Sequence, residues 1–343
     1  MMKVKLKDVA SFSKGQQING DDLLPSANYA YLNGGISPSG YWNEYNIPAN
    51  SIAISEGGNS CGYVNYMQSP FWCGAHCYYL FDLKISNTKY LYYALKARQD
   101  DIMKLRSGAC MPNIKKSDLG EFAFEFDFDD DHQTIVVDQL ERVERMIALR
   151  KQQLLKLDEL VKSRFIELFG DPIRNTQNRP TTDFINVVKM QRGFDLPVQD
   201  RQQDGDIPVF GSNGALDRHN VAKVQGGGVI TGRSGTIGKV YYTEGDYWPL
   251  NTSLFSVDTH GNNIIYLAYL LQMYDLSRFT EGTGVPTLNR NKFHDKPIID
   301  VPLNEQEQFA VFVKQTDKSK SEIQKSLEKL ETLKKALMQK YFG

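Results

Sequence analysis

Residues 232–240 read Gly-Arg-Ser-Gly-Thr-Ile-Gly-Lys-Val, a glycine-rich stretch with a lysine that suggests a phosphate-binding loop. A P-loop needs four residues between its glycines and a Ser or Thr after the lysine, so that a hydroxyl reaches magnesium. Here five residues separate Gly232 from Gly238, and Val240 follows Lys239, so a turn between two strands is the expectation. The four cysteines, Cys61, Cys73, Cys77 and Cys110, all lie in the first third and, with His76, raise zinc. The spacing Cys73-x-x-His76-Cys77 does not match a paired CxxC framework, which makes free thiols in a reducing compartment the expectation and no metal site. His76, His132, His219, His260 and His294 are scattered without a nucleophile context. No G-x-G-x-x-G follows a strand and opens a helix, and neither an Asn-Pro-Pro-aromatic stretch nor a glycine-rich methyl-donor motif occurs. No catalytic constellation is found, and no cofactor is expected in this chain.

What remains is a set of polar and basic residues in loops. Lys14, Gln16, Asn59, Ser60, Asn113, Lys115 and Lys116 lie in the first part of the chain. Arg192, Ser212, Asn213, Arg233, Ser234, Asn289, Arg290, Asn291 and Lys292 lie in the second. Arg and Lys can pair with guanine edges, and Asn and Gln with adenine edges. Lys and Ser on phosphates would fix register. A solvated loop is the plain alternative for each. The net charge of −1 speaks against a generic nucleic-acid binder. Residues 1–129 carry 12 basic and 13 acidic side chains, and residues 172–300 carry 13 of each. Any DNA binding must come from local patches or be shared with a more basic partner.

Two long helices would position these loops. Residues 130–172 contain no Gly or Pro before Gly170 and Pro172. Val136, Leu140, Val143, Ile147, Leu154, Leu157, Val161 and Leu168 alternate 4-and-3 spacings, with Arg150 and Arg164 at two seam positions. That is the pattern of a long helix, about 55–60 Å, offering a narrow apolar seam to a partner helix. Phe309, Val313, Ile323, Leu327, Leu330, Leu337 and Tyr341 supply a second seam, and the ends LVKSRFIELFG (160–170) and LKKALMQKYFG (333–343) resemble each other.

The chain also repeats itself. A shift of 176 places Ser60-Cys61-Gly62-Tyr63-Val64 on Thr236-Ile237-Gly238-Lys239-Val240, Trp72 on Trp248, and Tyr90-Leu91 on Tyr266-Leu267. At 174, residues 108–112 fall on 282–286, and at 173 the helix ends coincide. The expected fold class is α+β. It has two mixed α/β domains (1–129 and 172–300), each followed by a long helix (130–171 and 301–343). The helices form an antiparallel coiled coil, and the internal repeat gives a pseudo-two-fold axis that would suit duplex DNA. Residues 264–278 and 90–106 are expected as equivalent helices. No run of eighteen apolar residues could span a membrane, and the N-terminus lacks an apolar core of signal-peptide length, so no membrane association and a cytoplasmic location are expected.

The chain strongly resembles the specificity (S) subunit of type I restriction–modification systems. The resemblance covers nearly the whole length and rests most on LDELVKSRFIELFGDP (157–172), PLNEQEQFA (302–310), RGFDLP (192–197) and GVITGRSGTIGKVYY (228–242). It implies two target-recognition domains, each reading one half of a bipartite asymmetric site on double-stranded DNA. It implies helices that space the domains and dock two modification (methyltransferase) subunits. It implies no chemistry in this chain. S-adenosylmethionine would sit on the modification subunits, and ATP and magnesium on restriction subunits. One departure is that Glu305-Gln306 has Asp131-His132 opposite it in the first copy. A structural coiled-coil adaptor and a self-sufficient methyltransferase or nuclease are the alternative readings.

Overall fold

A computed structural model of the protein describes residues 1–108, 112–282 and 286–343. It divides into two units, one of Met1–Arg150 with Ser326–Gly343 and one of Lys151–Lys325. In the first, a four-stranded antiparallel sheet runs in the order Ser11–Lys14, Cys77–Phe81, Ser51–Ser55, Val64–Met67. In the second the order is Lys189–Arg192, Ser253–Asp258, Gly228–Gly232, Val240–Thr243. A mixed three-stranded sheet accompanies each. Gly40–Trp42, Tyr29–Leu32 and Phe71–Cys73 form one, and Gly214–His219, Ile207–Gly211 and Trp248–Pro249 the other, with the last pairing parallel in both. The connectivity is the same in the two units. The repeat read from scattered matches is a repeat of topology.

The strands Ser51–Ser55 and Gly228–Gly232 are buried along their length because both sheet faces are covered. One cover is a helix, Thr88–Ala97 or Ile264–Tyr274, started by Asn87 and Asn263, whose side chains accept from backbone N–H groups of the first turn. These helices are shorter than expected. The first gives way to a separate helix at Gln99–Lys104, and the second ends at Asp275, which takes φ of +52° and caps the following turn through its own carboxylate.

The two long helices are Asp130–Phe169 and Leu303–Phe342, 40 residues each and about 60 Å long. Asp129 starts the first by accepting from the N–H groups of Asp131 and His132. Gly170, at φ +77°, ends it, and Gln177 and Arg179 donate to its last free carbonyls at Glu167 and Leu168. The helices pair antiparallel in each unit. In the first, Tyr341 donates to Gln139 at 2.9 Å and Lys334 pairs with Glu144 at 2.8 Å. In the second, Lys320 pairs with Asp158 at 2.6 Å, and Phe309 packs edge-on against Phe165 at 5.5 Å between centroids.

Two expectations are corrected here. The helices coincide at an offset of 173 at both ends, so Gln306 corresponds to Gln133, not His132. Both glutamines are buried, and each donates back to a carbonyl just before its helix, Asp127 O at 2.6 Å or Val301 O at 2.7 Å. The start of the first helix is therefore as well anchored as that of the second. The seam also drifts. Val136, Leu140, Val143 and Val161 are buried, but Arg164 is half-exposed, ion-paired with Glu167 and lying over Phe312. Phe165 and Phe169 take the buried stripe instead. An α-helix turns every 3.6 residues, so a strict seven-residue register rotates away from a fixed partner. Near its end this helix also meets a globular core, at Tyr266, in addition to a helix.

Among the described residues no helix is long and apolar enough to cross a membrane. Truncating Phe169 to Ala should lower unfolding free energy by about 3–5 kcal/mol in urea titration, the ordinary cost of emptying a buried aromatic site. Leu155→Ala, on the exposed face of the same helix, should change it by less than about 0.5 kcal/mol.

Candidate nucleic-acid interface

In each unit the first strand of the large sheet ends on a cation followed by glycine, Lys14-Gly15 or Arg192-Gly193. Lys14 pairs in register with Tyr78, and Arg192 with Leu254. The glycine is required by a close approach. A Cβ on Gly15 would lie 1.9 Å from the Cys73 carbonyl oxygen, and one on Gly193 2.2 Å from that of Leu250. An inner strand of the same sheet, Ser51–Ser55 or Gly228–Gly232, runs directly into Glu56 or Arg233. Both residues are held by the same two backbone bonds. Glu56 N donates to His76 O at 2.8 Å and Ile114 N to Glu56 O at 2.9 Å, while Arg233 N donates to Thr252 O at 2.8 Å and Leu288 N to Arg233 O at 2.8 Å. The backbone frame is common to both units, and the side chains on it differ in sign.

Each frame opens into a cleft. The first, about 560 Å³, is lined by Lys14, Asn33, Glu56, Ser60, His76 and Asn113, among others. Lys14 Nζ lies 2.8 Å from one oxygen of Glu56, and His76 Nδ1 lies 3.6 Å from the other. Ser60 donates to Gly34 O at 2.6 Å. The second cleft, about 310 Å³, is lined by Arg192, Arg233, Glu281, Asn289, Arg290 and Asn291, among others. Glu281 is bonded at 2.7 Å to Lys292, whose ammonium it holds above its ordinary pKa. The first cleft offers one donor cation beside an acceptor. The second offers three guanidinium groups against one carboxylate that is already paired.

The structure thus gathers Lys14, Ser60 and Asn113 in one cleft, and Arg192, Arg233, Asn289, Arg290 and Asn291 in the other. The remaining candidates stand elsewhere in their units. Gln16 is exposed and its carbonyl accepts from Trp72 Nε1. Asn59 is exposed in a turn. Lys115 precedes the short helix Lys116–Glu121, and Lys116 lies over the Phe12 ring beside a separate hollow. Ser212 and Asn213 form the two-residue turn of a hairpin, with Asn213 accepting from Lys239 at 3.1 Å. Ser234 bridges to Thr287. Asn113 bridges Gly57 as Thr287 bridges Ser234, so Asn113 matches Thr287, and Lys115 and Lys116 match Asn289 and Arg290. Glu56 escaped sequence reading. The signal for it was that it stands 177 residues before Arg233, the offset that also relates Ser55 to Gly232.

The groups that could do chemistry are engaged structurally. Residues 232–240 join two antiparallel strands, as expected of a turn, and no helix follows them to cradle a phosphate. Cys61, Cys73 and Cys77 are free and buried. The hydrogen bond from Cys73, together with burial, raises the Cys77 thiol well above its ordinary range, which disfavours the nucleophilic thiolate. The His76 side chain is exposed and turned to Glu56, away from those sulfurs, and Cys110 lies outside the described residues. His294 accepts from Met190 N at 3.2 Å, and burial lowers its pKa, so it stays neutral as an acceptor. His132 is bonded to Asp127, His260 to Ile185 O, and His219 is buried edge-on to Trp248.

Comparison with known proteins now adds to this geometry. The model of the type I restriction modification DNA specificity domain matches residues 1–159 and again 174–335. A chain named a type I specificity subunit in Mycoplasma genitalium is 29% identical over 226 residues, 61% of this chain and 57% of the relative. Another so named in Mycoplasma pneumoniae is 39% identical over 119 residues, 34% of this chain and 32% of the relative. The matches therefore span less than two thirds of either relative. In fold, the crystal structure of a type I restriction–modification S subunit from M. genitalium superposes with a TM-score of 0.71 at 21% identity, covering 100% of this chain and 96% of that one. A chain from a structure of type I complex assembly gives 0.60 at 13% identity, covering 99% and 97%.

Gly193→Ala should displace the strand end carrying Arg192, because a methyl group cannot share space with the Leu250 carbonyl. The expected outcome is weaker DNA binding, about tenfold or more in a retardation assay, with circular dichroism largely retained.

Proposed function

This chain belongs to the type I restriction–modification DNA specificity family, and on that premise we propose that it is the sequence-reading subunit of such a complex. The observation that carries the reading is the pair of clefts, built on one repeated backbone frame and lined by different polar side chains. Two copies with unlike readers suit a bipartite, asymmetric site on double-stranded DNA, one half read by residues 1–129 and the other by residues 172–300. Within this reading, Lys14, Ser60, Asn113, Arg192, Arg233, Asn289, Arg290 and Asn291 face base edges or phosphates in the clefts. Gln16, Asn59, Lys115, Lys116, Ser212, Asn213, Ser234 and Lys292 serve as flanking contacts.

The helices, within segments 130–171 and 301–343, space the two readers and dock two modification subunits. Met146, Leu149, Leu155 and Leu160 remain exposed on the first helix and Leu333 on the second, more apolar surface than a solvated helix face requires. Methyl transfer, with S-adenosylmethionine, belongs to the modification subunits. Translocation and cleavage, with ATP and magnesium, belong to restriction subunits. The chain itself is non-catalytic and works in the cytoplasm. Its net charge of −1 supports a division of labour in which partner subunits supply most of the basic surface.

The deciding experiment maps N6-methyladenine across the host genome with and without this chain. Loss of a split, two-part motif on deletion is the expected result. Unchanged methylation beside an active modification subunit would overturn the reading in favour of an adaptor. The isolated chain should bind DNA weakly, and Arg290→Ala should reduce the slope of log affinity against log salt by about 1 if Arg290 meets a phosphate.

A further inference from the structure

The two clefts place an acid and a base at one and the same point of the repeated frame. Glu56 and Arg233 each follow the second-copied buried strand, each donate to the residue before the neighbouring strand, and each accept from the loop beyond (Ile114 or Leu288). A position fixed this firmly by backbone and yet opposite in charge is suited to discrimination. Its side chain can change without disturbing the sheet.

Resting on the sequence-reading function above, we propose that Glu56 is the specificity-determining acceptor of the first recognition unit, reading the exocyclic amino group of cytosine while Lys14 reads the paired guanine. A carboxylate only accepts, and among the major-groove edges the cytosine N4 amino group is its matching donor. The same base pair presents guanine O6 and N7, which only accept and so match an ammonium. Glu56 and Lys14 lie 2.8 Å apart on the wall of one cleft, so an acceptor and a donor stand side by side as a C·G pair presents them. The Glu56 side chain is 11% exposed, against 47% for Lys14. The acid is held by its surroundings, and the lysine, paired with it and 5.8 Å from the Tyr78 ring centroid, is the more exposed of the two. His76, 3.6 Å from the second oxygen, limits the directions that the carboxylate can take. In the second unit the equivalent pair is Arg192 and Arg233, both donors, which suits guanine at the corresponding base pair.

The test uses the full chain assembled with its modification subunits. First the split motif of the wild type is mapped; absence of any motif dependent on the chain would sink the sequence-reading function itself. Glu56→Leu, which removes the acceptor, is then mapped in the same way. The expected result is that one C·G position in the first half-site loses its requirement, while the requirements of the second half persist. Arg233→Gln should relax a G position in the second half only. In parallel, wild-type complex is bound to duplexes in which each first-half cytosine in turn is replaced by 2-pyrimidinone, which lacks the amino group. One replacement should weaken binding about tenfold or more, and the Glu56→Leu complex should be indifferent to it. An unchanged motif in Glu56→Leu makes Glu56 a counter-ion of Lys14 and overturns the proposal. So does a wild-type complex indifferent to every amino-group deletion, a readout that holds even if the variant fails to assemble.

Discussion

A 40-residue helix with a narrow apolar stripe cannot stand in water alone, and the whole arrangement follows from covering that stripe. The cover is supplied twice over. Along part of its length each helix packs on the other, and toward its ends each helix enters a globular core. Phe165 and Phe169 each meet both Tyr266 and Phe309, with those ring centroids 5.1–6.0 Å apart. In the first unit Val136, Val137 and Leu140 join Tyr341 and Phe342 in the core that also holds Tyr90 and Phe126. The last residues of the chain therefore complete a core begun by the first. Such a core draws on segments some 300 residues apart in sequence, a costly loop closure that the long rigid helices make tolerable.

With stability located in these cores and in the backbone bonds of the sheets, the cleft side chains are freed from structural duty. The two bonds that Glu56 and Arg233 share are between main-chain atoms, and so are those that seat Gly15 and Gly193. Main-chain bonding is indifferent to side-chain identity. Two copies can therefore differ in their cleft side chains while keeping one fold. The charge balance differs accordingly: the first cleft pairs Lys14 with Glu56, whereas the second is rich in guanidinium.

Groups with nucleophilic or basic potential are committed to packing. Burial raises the Tyr78 and Tyr90 hydroxyls to about 12, and the Cys77 thiol is likewise held protonated. His294 is kept neutral as a hydrogen-bond acceptor inside an aromatic cluster.

Much was legible from sequence because it depends on local rules. The absence of Gly and Pro over forty residues, the stop at Gly170, and the apolar spacing define both helices. A near-constant offset in Trp72/Trp248 and Tyr90/Tyr266 betrays the repeat, and the missing serine after Lys239 excludes a P-loop. What local rules cannot supply is where a helix changes partner. Phe165 and Phe169 replaced Arg164 in the buried stripe because helical geometry rotates the face and a core lay waiting there. Nor could spacing show that Gln133, not His132, answers Gln306, since one residue of drift in the offset hides the match. The cleft itself was the least visible feature. Lys14 and Glu56 are 42 residues apart and separated by three strands. Only the order of strands in the sheet brings them to 2.8 Å, and strand order is decided by long-range pairing that no local pattern encodes.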